Sequence, residues 1–371
     1  MAEASPDDSF KFPCVQCGAD LRYRPGTETM VCAFCGATND VPAPTAAARA
    51  GIVERDFQAT LRTPEDSAET AETRFVHCEN CGAEIEFDAD NHAGECPFCA
   101  SPVVIDTGPQ RRIKPAALLP FSITQKDARG AMSKWLGNLW FAPNGLQEYA
   151  RKGRELQGIY VPFWTYDADT KSSYTGQRGT IYYVTRNVRV EVNGKMQTRQ
   201  EQVQKIRWRA ISGRVQRFFD DVLVLASTSL PKSCTDALAP WDLSALEPYR
   251  PDYLAGFRAE GYTVSLEDGY GQAREIMDRM IARDVRFDIG GDRQRIDRID
   301  TSVSDITFKH ILLPVWTAAY KYRGKSYRFV VNGRSGSVKG ERPWSWVKIT
   351  FAVLLGLIVA GALGYFFAQS R

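Results

Sequence analysis

Eight of the nine cysteines fall into two copies of one spacing pattern. In each copy a Cys-x-x-Cys pair is followed, after fourteen residues, by a second pair. The copies are Cys14, Cys17, Cys32 and Cys35, and then Cys78, Cys81, Cys96 and Cys99. A two-residue spacing lets a tight turn point both thiolates at one ion, and two such turns complete a tetrahedral site. We therefore predict two structural Zn²⁺ ions, one in each of two zinc ribbons.

The copies lie 64 residues apart and also agree at Gly18-Ala19 with Gly82-Ala83 and at Phe34 with Phe98. This agreement predicts a duplicated module. Disulfides and iron–sulfur clusters are the alternatives to zinc. Met1 to Phe10 has no signal-peptide pattern, so we expect reduced thiols in a cytosolic setting.

Charge is distributed unevenly along the chain. Residues 1–107 carry 7 Lys and Arg against 19 Asp and Glu, whereas the rest carries 40 against 25. A ribbon that binds nucleic acid would present cations to phosphates, so acidic ribbons argue against that role here. Two interpretations remain: the ribbons dock protein partners, or they only stabilise a small fold.

The order of these features predicts six regions. They are ribbon 1 (1–40), a flexible linker (41–73), ribbon 2 (74–107), two α+β modules (108–235 and 236–343) and a membrane anchor (344–371). The linker is rich in Ala, Pro, Thr and Glu, which predicts ribbons that move independently.

The predicted fold class is α+β, with two related modules that each consist of a helix followed by a β-meander. Thr124 with Asp127, and Ser265 with Asp268, are capping patterns ahead of apolar residues at helical spacing. Val285, Phe287 and Ile289 alternate and predict a strand. Ile159, Pro162, Trp164 and Thr165 match Ile311, Pro314, Trp316 and Thr317 at an offset of 152. The match is short, so chance similarity is the alternative to an internal repeat. Trp135 and Trp140 are predicted to be packing residues.

Ten basic residues lie between positions 178 and 217, against only two acidic ones. They are Arg178, Arg186, Arg189, Lys195, Arg199, Lys205, Arg207, Arg209, Arg214 and Arg217. This basic strip is compatible with a solvated sheet face, a docking surface for the acidic ribbons, an anionic-lipid contact or a nucleic-acid platform. The sequence leaves these alternatives open.

The C-terminal region predicts a transmembrane helix. Ile349 to Ala368 contains twenty residues without a charge, enough to span a hydrocarbon core of about 30 Å. Trp344 and Trp346 fit an interfacial belt, and Lys339, Arg342 and Lys348 favour a cytoplasmic location for the long N-terminal side. Gly356, Gly361 and Gly364 are compatible with helix pairing in a homo-oligomer.

No motif predicts catalysis. Gly324-Lys325-Ser326 resembles the end of a phosphate-binding loop, but Ala319 replaces its first glycine and the segment precedes a strand. The three histidines, His77, His92 and His310, form no constellation with acids in the sequence, and Cys234 is predicted to be a buried thiol. We expect a protein that is not an enzyme.

The paired ribbons, Leu119-Pro120-Phe121, Val161-Pro162-Phe163-Trp164 and Leu313-Pro314-Val315-Trp316 through Pro343 carry a resemblance along nearly the whole chain. The chain resembles a bacterial family of membrane-anchored proteins with TFIIB-type zinc ribbons, often labelled primosomal protein N-prime or superfamily II helicase. The resemblance implies flotillin-like membrane proteins as a partner class. A helicase motor needs a phosphate-binding loop, which this sequence lacks.

These patterns together predict a tail-anchored adaptor at the bacterial inner membrane, with most of the chain in the cytoplasm and ribbons that dock protein partners. The alternative is a membrane-tethered protein that binds nucleic acid through the basic strip.

Overall fold

The computed structural model describes residues 12–46, 49, 51–62, 70–73, 75–86, 93–99, 101–104, 110–143, 156–192, 195–322 and 325–369. Its short strands near the N-terminus are β1 (Leu21–Tyr23), β2 (Thr29–Cys32), β3 (Thr38–Asp40), β4 (Arg55–Asp56), β5 (Thr70–Thr73), β6 (Phe75–His77), β7 (Glu84–Glu86), β8 (Ala93–Glu95) and β9 (Pro102–Val104). The later strands are β10 (Gln110–Ile113), β11 (Ala117–Leu118), β12 (Gln157–Val192), β13 (Lys195–Leu225), β14 (Glu247–Pro248), β15 (Arg258–Ala259), β16 (Arg293–Tyr322), β17 (Lys325–Asn332) and β18 (Val338–Gly340). The helices are α1 (Phe57–Arg62), α2 (Gln125–Gly137), α3 (Lys232–Thr235), α4 (Leu266–Ile289) and α5 (Trp346–Gln369).

A nine-stranded sheet forms the centre of this α+β fold. Its main path is β13-β12-β16-β11-β14, and β4, β15, β17 and β18 pair at its sides. Successive side chains of β12 point to opposite faces, and both faces are buried around Tyr160 and Val161. This burial explains the unbroken apolar run at that point of the sequence.

The two ribbons pack on opposite faces of this sheet. In ribbon 1, Leu21 and Tyr23 share a buried cluster with Tyr160 and Trp316. Ribbon 2 residues, including Ile85, share a second cluster with the side chains of the other face. The ribbons are therefore part of the core, which differs from the prediction that they move independently.

Part of the predicted flexible linker also lies on the sheet. β4 pairs with β16, and Phe57 at the start of α1 is 3% exposed in a third buried cluster. The Glu54 carboxylate lies 3.0 Å from Lys309 Nζ. These contacts could not be predicted from the sequence, because one aromatic residue and one acid do not stand out in a polar segment. Residues 63–69 of the linker lie outside the described part.

The predicted internal match corresponds to a local twofold arrangement. β12 and β16 pair antiparallel, and Val161 pairs with Leu313, its equivalent at the offset of 152. An antiparallel pair centred on equivalent residues relates each strand to the other by a twofold rotation. The two segments thus lie side by side in one sheet.

Hydrogen bonds repeat this symmetry beyond the strands. Trp164 Nε1 donates to the carbonyl of Val264, and Trp316 Nε1 donates to that of Ile123. Each acceptor directly precedes the N-cap residue of a helix, α4 in one case and α2 in the other. Each helix covers the hairpin that it does not directly precede in the chain. α2 packs on β17 of the β16–β17 hairpin, and α4 packs on β13 of the β12–β13 hairpin.

Both predicted caps are confirmed. Thr124 and Asp127 form a reciprocal capping box at α2, and the Ser265 hydroxyl accepts from the Asp268 amide at α4. The prediction for Trp140 is wrong: Trp135 is partly buried, but Trp140 is 81% exposed because α2 ends before it.

The predicted strand over Val285, Phe287 and Ile289 is also wrong, because α4 continues through Ile289. Val285 and Ile289 are buried one helical turn apart, whereas Phe287 is 90% exposed. Val285 and Ile289 therefore fit a helical period, and the exposed Phe287 caused the false alternation.

Beyond Gly179, β12 and β13 continue without β16 as a two-stranded arm. The arm spans residues 180–192 and 195–207, about 40 Å at roughly 3.3 Å per residue. Val192 pairs with Lys195 at its end, as the turn signal Asn193-Gly194 predicts, and the turn itself lies outside the described residues. The predicted meander is thus one long hairpin.

The C-terminal helix α5 is long and apolar enough to cross a membrane over Trp346–Phe366. The described part of the protein buries none of this span. Ser345 directly precedes it, and its hydroxyl accepts from the Lys348 amide while its carbonyl accepts from the Ile349 amide.

Candidate metal centres

Each predicted cysteine quartet is brought together, and its sulfur atoms lie within 4.8 Å of one another. The cross-pair Sγ–Sγ distances are 3.6 and 3.5 Å in ribbon 1 and 3.5 and 3.6 Å in ribbon 2. A tetrahedral ion with bonds of about 2.3 Å requires sulfurs about 3.8 Å apart, whereas a disulfide requires about 2.05 Å. Both clusters therefore fit a metal ion, and neither is a disulfide.

All four Cys-x-x-Cys turns close in the same way. The amide of the first cysteine donates to the carbonyl five residues later, at 2.7 Å for Cys14 and 2.8 Å for Cys78. Gly18 and Gly82, each directly after a second cysteine, both have φ of 73°. A left-handed residue at this point suits glycine, which explains the repeated Cys-Gly dipeptide.

Hydrogen bonds lower the pKa of some of these thiols, whereas neighbouring sulfurs and burial raise the pKa of others, among them Cys17, Cys35 and Cys81. The amides of Cys35 and Phe34 lower the pKa of Cys32 to about 6. In ribbon 2, hydrogen bonds from Asn80 and Ser101 outweigh burial and lower the pKa of Cys99 to about 6. Thiolates are the form that binds a metal ion.

The two clusters differ in exposure. In ribbon 1, Cys17 and Cys35 are exposed. In ribbon 2, Cys81 is half-buried and the other three cysteines are buried. The matched aromatic residues differ in the same way, because Phe98 is fully buried and Phe34 is 85% exposed. The duplicated turn that contacts the sheet in ribbon 2 thus faces solvent in ribbon 1.

The basic strip divides into two parts. Arg217 forms two hydrogen bonds with Asp284 of α4, and Arg178 donates to the carbonyl of Ile289 at the end of the same helix. These two cations hold the helix on the sheet. Arg178 is nevertheless exposed, and Arg217 is half-buried.

The other cations lie farther along β12 and β13, mainly on the arm. Arg186, Arg189, Arg199, Lys205, Arg207, Arg209 and Arg214 are exposed. The Arg207 guanidinium lies 5.2 Å from the Tyr182 ring centroid. Strand register places Tyr182, Lys205 and Arg207 on one face of the arm. The Lys195 side chain lies outside the described part.

Sequence reasoning missed a buried ionic cluster at irregularities in the sheet. Lys309 Nζ lies 2.8 Å from Asp221, 3.0 Å from Glu54 and 3.9 Å from Asp167. Burial, with the neighbouring Glu54, raises the pKa of Asp167 to about 7. Asp167, Asp220 and Asp221 could together ligate a cation, but the Lys309 ammonium already lies against Asp167 and Asp221. No local pattern could reveal residues so far apart in sequence.

The histidines do not join the cysteine clusters in the described part of the chain. His77 is exposed, 3.7 Å from Glu84, and His92 lies outside the described residues. His310 is buried, and its Nδ1 donates to the carbonyl of Ile113. Burial lowers its pKa to about 4, so the ring is neutral at physiological pH. Cys234 is buried, as predicted.

These features define an α+β protein with an extensive sheet, two four-cysteine clusters suited to metal ions and one helix able to cross a membrane. The chain is similar to Uncharacterized protein YdjG of Bacillus subtilis (strain 168), with 25% identity over 347 residues that cover 92% of each chain. No family model and no solved structure matches the chain. The family resemblance carried by the sequence motifs therefore stays a prediction.

Proposed function

We propose that this protein is a non-enzymatic, tail-anchored adaptor on the cytoplasmic face of the bacterial inner membrane. Each ribbon holds one structural Zn²⁺, and ribbon 1 docks a protein partner. The observation that carries this proposal is the contrast between Phe98, which is fully buried, and its duplicate Phe34, which is 85% exposed.

Zinc is the ion that best suits four thiolates. A closed four-cysteine tetrahedron leaves no position for substrate, so the ion has a structural role. Each ribbon is too small to bury much apolar surface of its own. Binding of the ion would supply free energy of folding in its place.

Anchoring rests on α5 and its flanking residues. The 24 residues of α5 extend about 36 Å, enough to cross a hydrocarbon core of about 30 Å. Lys339, Arg342 and Lys348 precede or begin the apolar stretch, and cations on this side favour its retention in the cytoplasm. Reduced thiolates fit the same compartment.

Ribbon 2 indicates what kind of surface ribbon 1 would bind. Phe98 packs in a cluster with aliphatic side chains of the sheet, including Leu119, Ile159 and Leu313. In ribbon 1 the corresponding turns expose Phe34 and also Val15, which is 87% exposed. We assign to the partner protein an aliphatic pocket that accepts Phe34. Flotillin-like membrane proteins are the partner class implied by the sequence resemblance.

Substitution of Phe34 tests this role. We expect Phe34→Ser to remove a stoichiometric partner from complexes purified with the full-length protein in mild detergent. Phe287→Ser is the matched control, because Phe287 is 90% exposed on α4, away from the ribbons. A photoreactive residue at position 34 should crosslink to the same partner.

Zinc content and melting temperature should be unchanged in Phe34→Ser, since the side chain is exposed. Identical partners in wild type, Phe34→Ser and Phe287→Ser would contradict docking through ribbon 1. That result would leave the ribbons with a structural role alone.

A second candidate function is nucleic-acid binding by the arm. Tyr182, Lys205 and Arg207 share a face, and such a combination can bind phosphates and stack on bases. It predicts binding that weakens steeply with salt and that Arg207→Ser with Arg209→Ser reduces. Fluorescence anisotropy across a salt series measures this. Anionic vesicles in the same assay would distinguish a lipid contact, the other role compatible with these charges.

A further inference from the structure

Trp140 lies next to a contact between the protein body and the start of α5. The Ser345 amide donates to the carbonyl of Phe141 at 2.8 Å, and Ser345 also caps α5 through the Lys348 amide. The residue that precedes the apolar helix is therefore hydrogen-bonded to the turn that follows α2. This bond places Trp140 beside the beginning of the membrane anchor.

Three exposed tryptophans gather at this contact. Trp140 is 81% exposed, Trp344 is 54% exposed and Trp346 is 80% exposed. Trp344 and Trp346 flank Ser345 in sequence, whereas Trp140 comes from a segment some 200 residues earlier. The Arg342 guanidinium lies 4.2 Å from the Trp344 ring centroid. Tryptophan with nearby cations is the composition typical of membrane–water interfaces.

The dimensions of a bilayer fit this arrangement. Ile349 begins the uncharged stretch four residues after Ser345, so Ser345 lies about 6 Å outside the hydrocarbon core if α5 crosses it. Headgroup layers are roughly 5–8 Å thick on each side. Consecutive Cα atoms are about 3.8 Å apart, which places the Trp140 backbone within about 10 Å of Ser345. From that position an indole ring reaches the headgroup layer if this side of the body faces the bilayer.

We infer that Trp140 is a second membrane contact, inserted in the headgroup layer of the bilayer that α5 enters. This inference rests on the proposed anchor. Together with the hydrogen bond between Ser345 and Phe141, Trp140 fixes the orientation of the body, with the C-terminal end of α2 toward the lipid. The partner is a lipid surface, and no protein is needed to cover the exposed ring.

Quenching by brominated phospholipids tests the inference. The full-length protein is reconstituted in vesicles with or without phospholipids brominated near the headgroup end of the acyl chains, and the quenched part of the tryptophan emission is measured. We expect Trp140→Phe and Trp346→Phe each to lose a comparable share of quenchable emission. Trp135→Phe, five residues before Trp140 and partly buried, should lose none.

The variants separate the inference from the anchor. If Trp346→Phe loses quenchable emission and Trp140→Phe does not, the anchor enters the bilayer but the second contact is overturned. If neither variant loses any, α5 does not enter the bilayer, and both the anchor and the inference fail.

Discussion

The carboxyl group of Glu260 is buried between the sheet and ribbon 2. Its amide donates to the carbonyl of Tyr160, its backbone forms a bridge with Ile85, and its side chain accepts from the Ser227 hydroxyl. The side chain is 3% exposed, and this burial raises its pKa to about 8. Glu260 is therefore protonated in the folded protein at neutral pH.

This raised pKa predicts stability that falls as pH rises. An unfolded glutamate has a pKa of about 4.3, so between about 4.3 and 8 the folded state binds a proton that the unfolded state releases. The stabilisation is complete below the unfolded pKa and is lost as pH rises through about 8. We expect Glu260→Gln, which stays neutral, to show a smaller decrease in melting temperature between pH 5 and pH 9.

Glu267→Gln is the control, because that carboxylate is exposed in the first turn of α4. It should retain the wild-type pH dependence. An equal decrease in wild type and Glu260→Gln would mean that Glu260 is already ionised in the folded state.

At the scale of elements, α4 explains where sequence patterns were insufficient. The cap at Ser265 and buried Met277 and Ile281 were predictable, because capping and helical period are local signals. The end of the helix was not, since Phe287 on its exposed face produced an alternating pattern. Whether that side chain faces solvent or core depends on the sheet beneath it, which local sequence does not specify.

The helical assignment makes a direct prediction about two neighbouring positions. Val285→Ser should lower the free energy of unfolding by about 2–3 kcal/mol, because it leaves a polar group and a cavity in the core. Phe287→Ser should change it by no more than about 0.5 kcal/mol. Urea unfolding followed by circular dichroism measures both. Similar losses at both positions would indicate the strand instead of the helix.

The ribbons differ as elements despite their matching sequences. The grouping of the eight cysteines into two clusters was predictable from spacing. The difference in burial was not, because it depends on where each ribbon meets the sheet. Exposed Cys17 and Cys35 would give a chelator direct access to an ion bound in ribbon 1. An ion bound in ribbon 2 would be accessible only after the packed cluster opens.

We therefore expect zinc to leave in two phases, one equivalent fast and one at least tenfold slower, when a chelator is added. A colorimetric zinc indicator follows the release. Cys35→Ser should remove the fast phase and leave the slow one. Release in a single phase from the wild-type protein would mean that burial does not control access to either ion.

At the scale of the whole molecule, the two ribbons cover opposite faces of the sheet. The α+β class, the ribbons and the C-terminal helix follow from composition and local pattern, and the match at an offset of 152 marked two related strands. The pairing of Val161 with Leu313 across a local twofold could not be predicted, because strand pairing depends on contacts between distant parts of the chain. Nor did the acidic composition of residues 1–107 reveal that their apolar side chains cover both faces of the sheet.

This arrangement predicts that removing the ribbons destroys the fold. Deletion of residues 1–107 would expose Tyr160 and Trp316 on one face and Ile159 and Leu313 on the other, and apolar patches of this kind cause aggregation. We expect the truncated protein in detergent to elute as aggregates in size-exclusion chromatography and to lack a cooperative melting transition.

A shortened arm is the matched control for this deletion. Tyr183 and Gln204 pair directly, so an Asn-Gly turn can replace residues 184–203 without changing the register. No described side chain in this arm segment is buried, so the shortened protein should be monodisperse and melt within a few degrees of wild type. A truncated protein without residues 1–107 that behaved equally well would mean that the ribbons are appendages. Only then would their deletion report on partner binding without also disrupting the sheet.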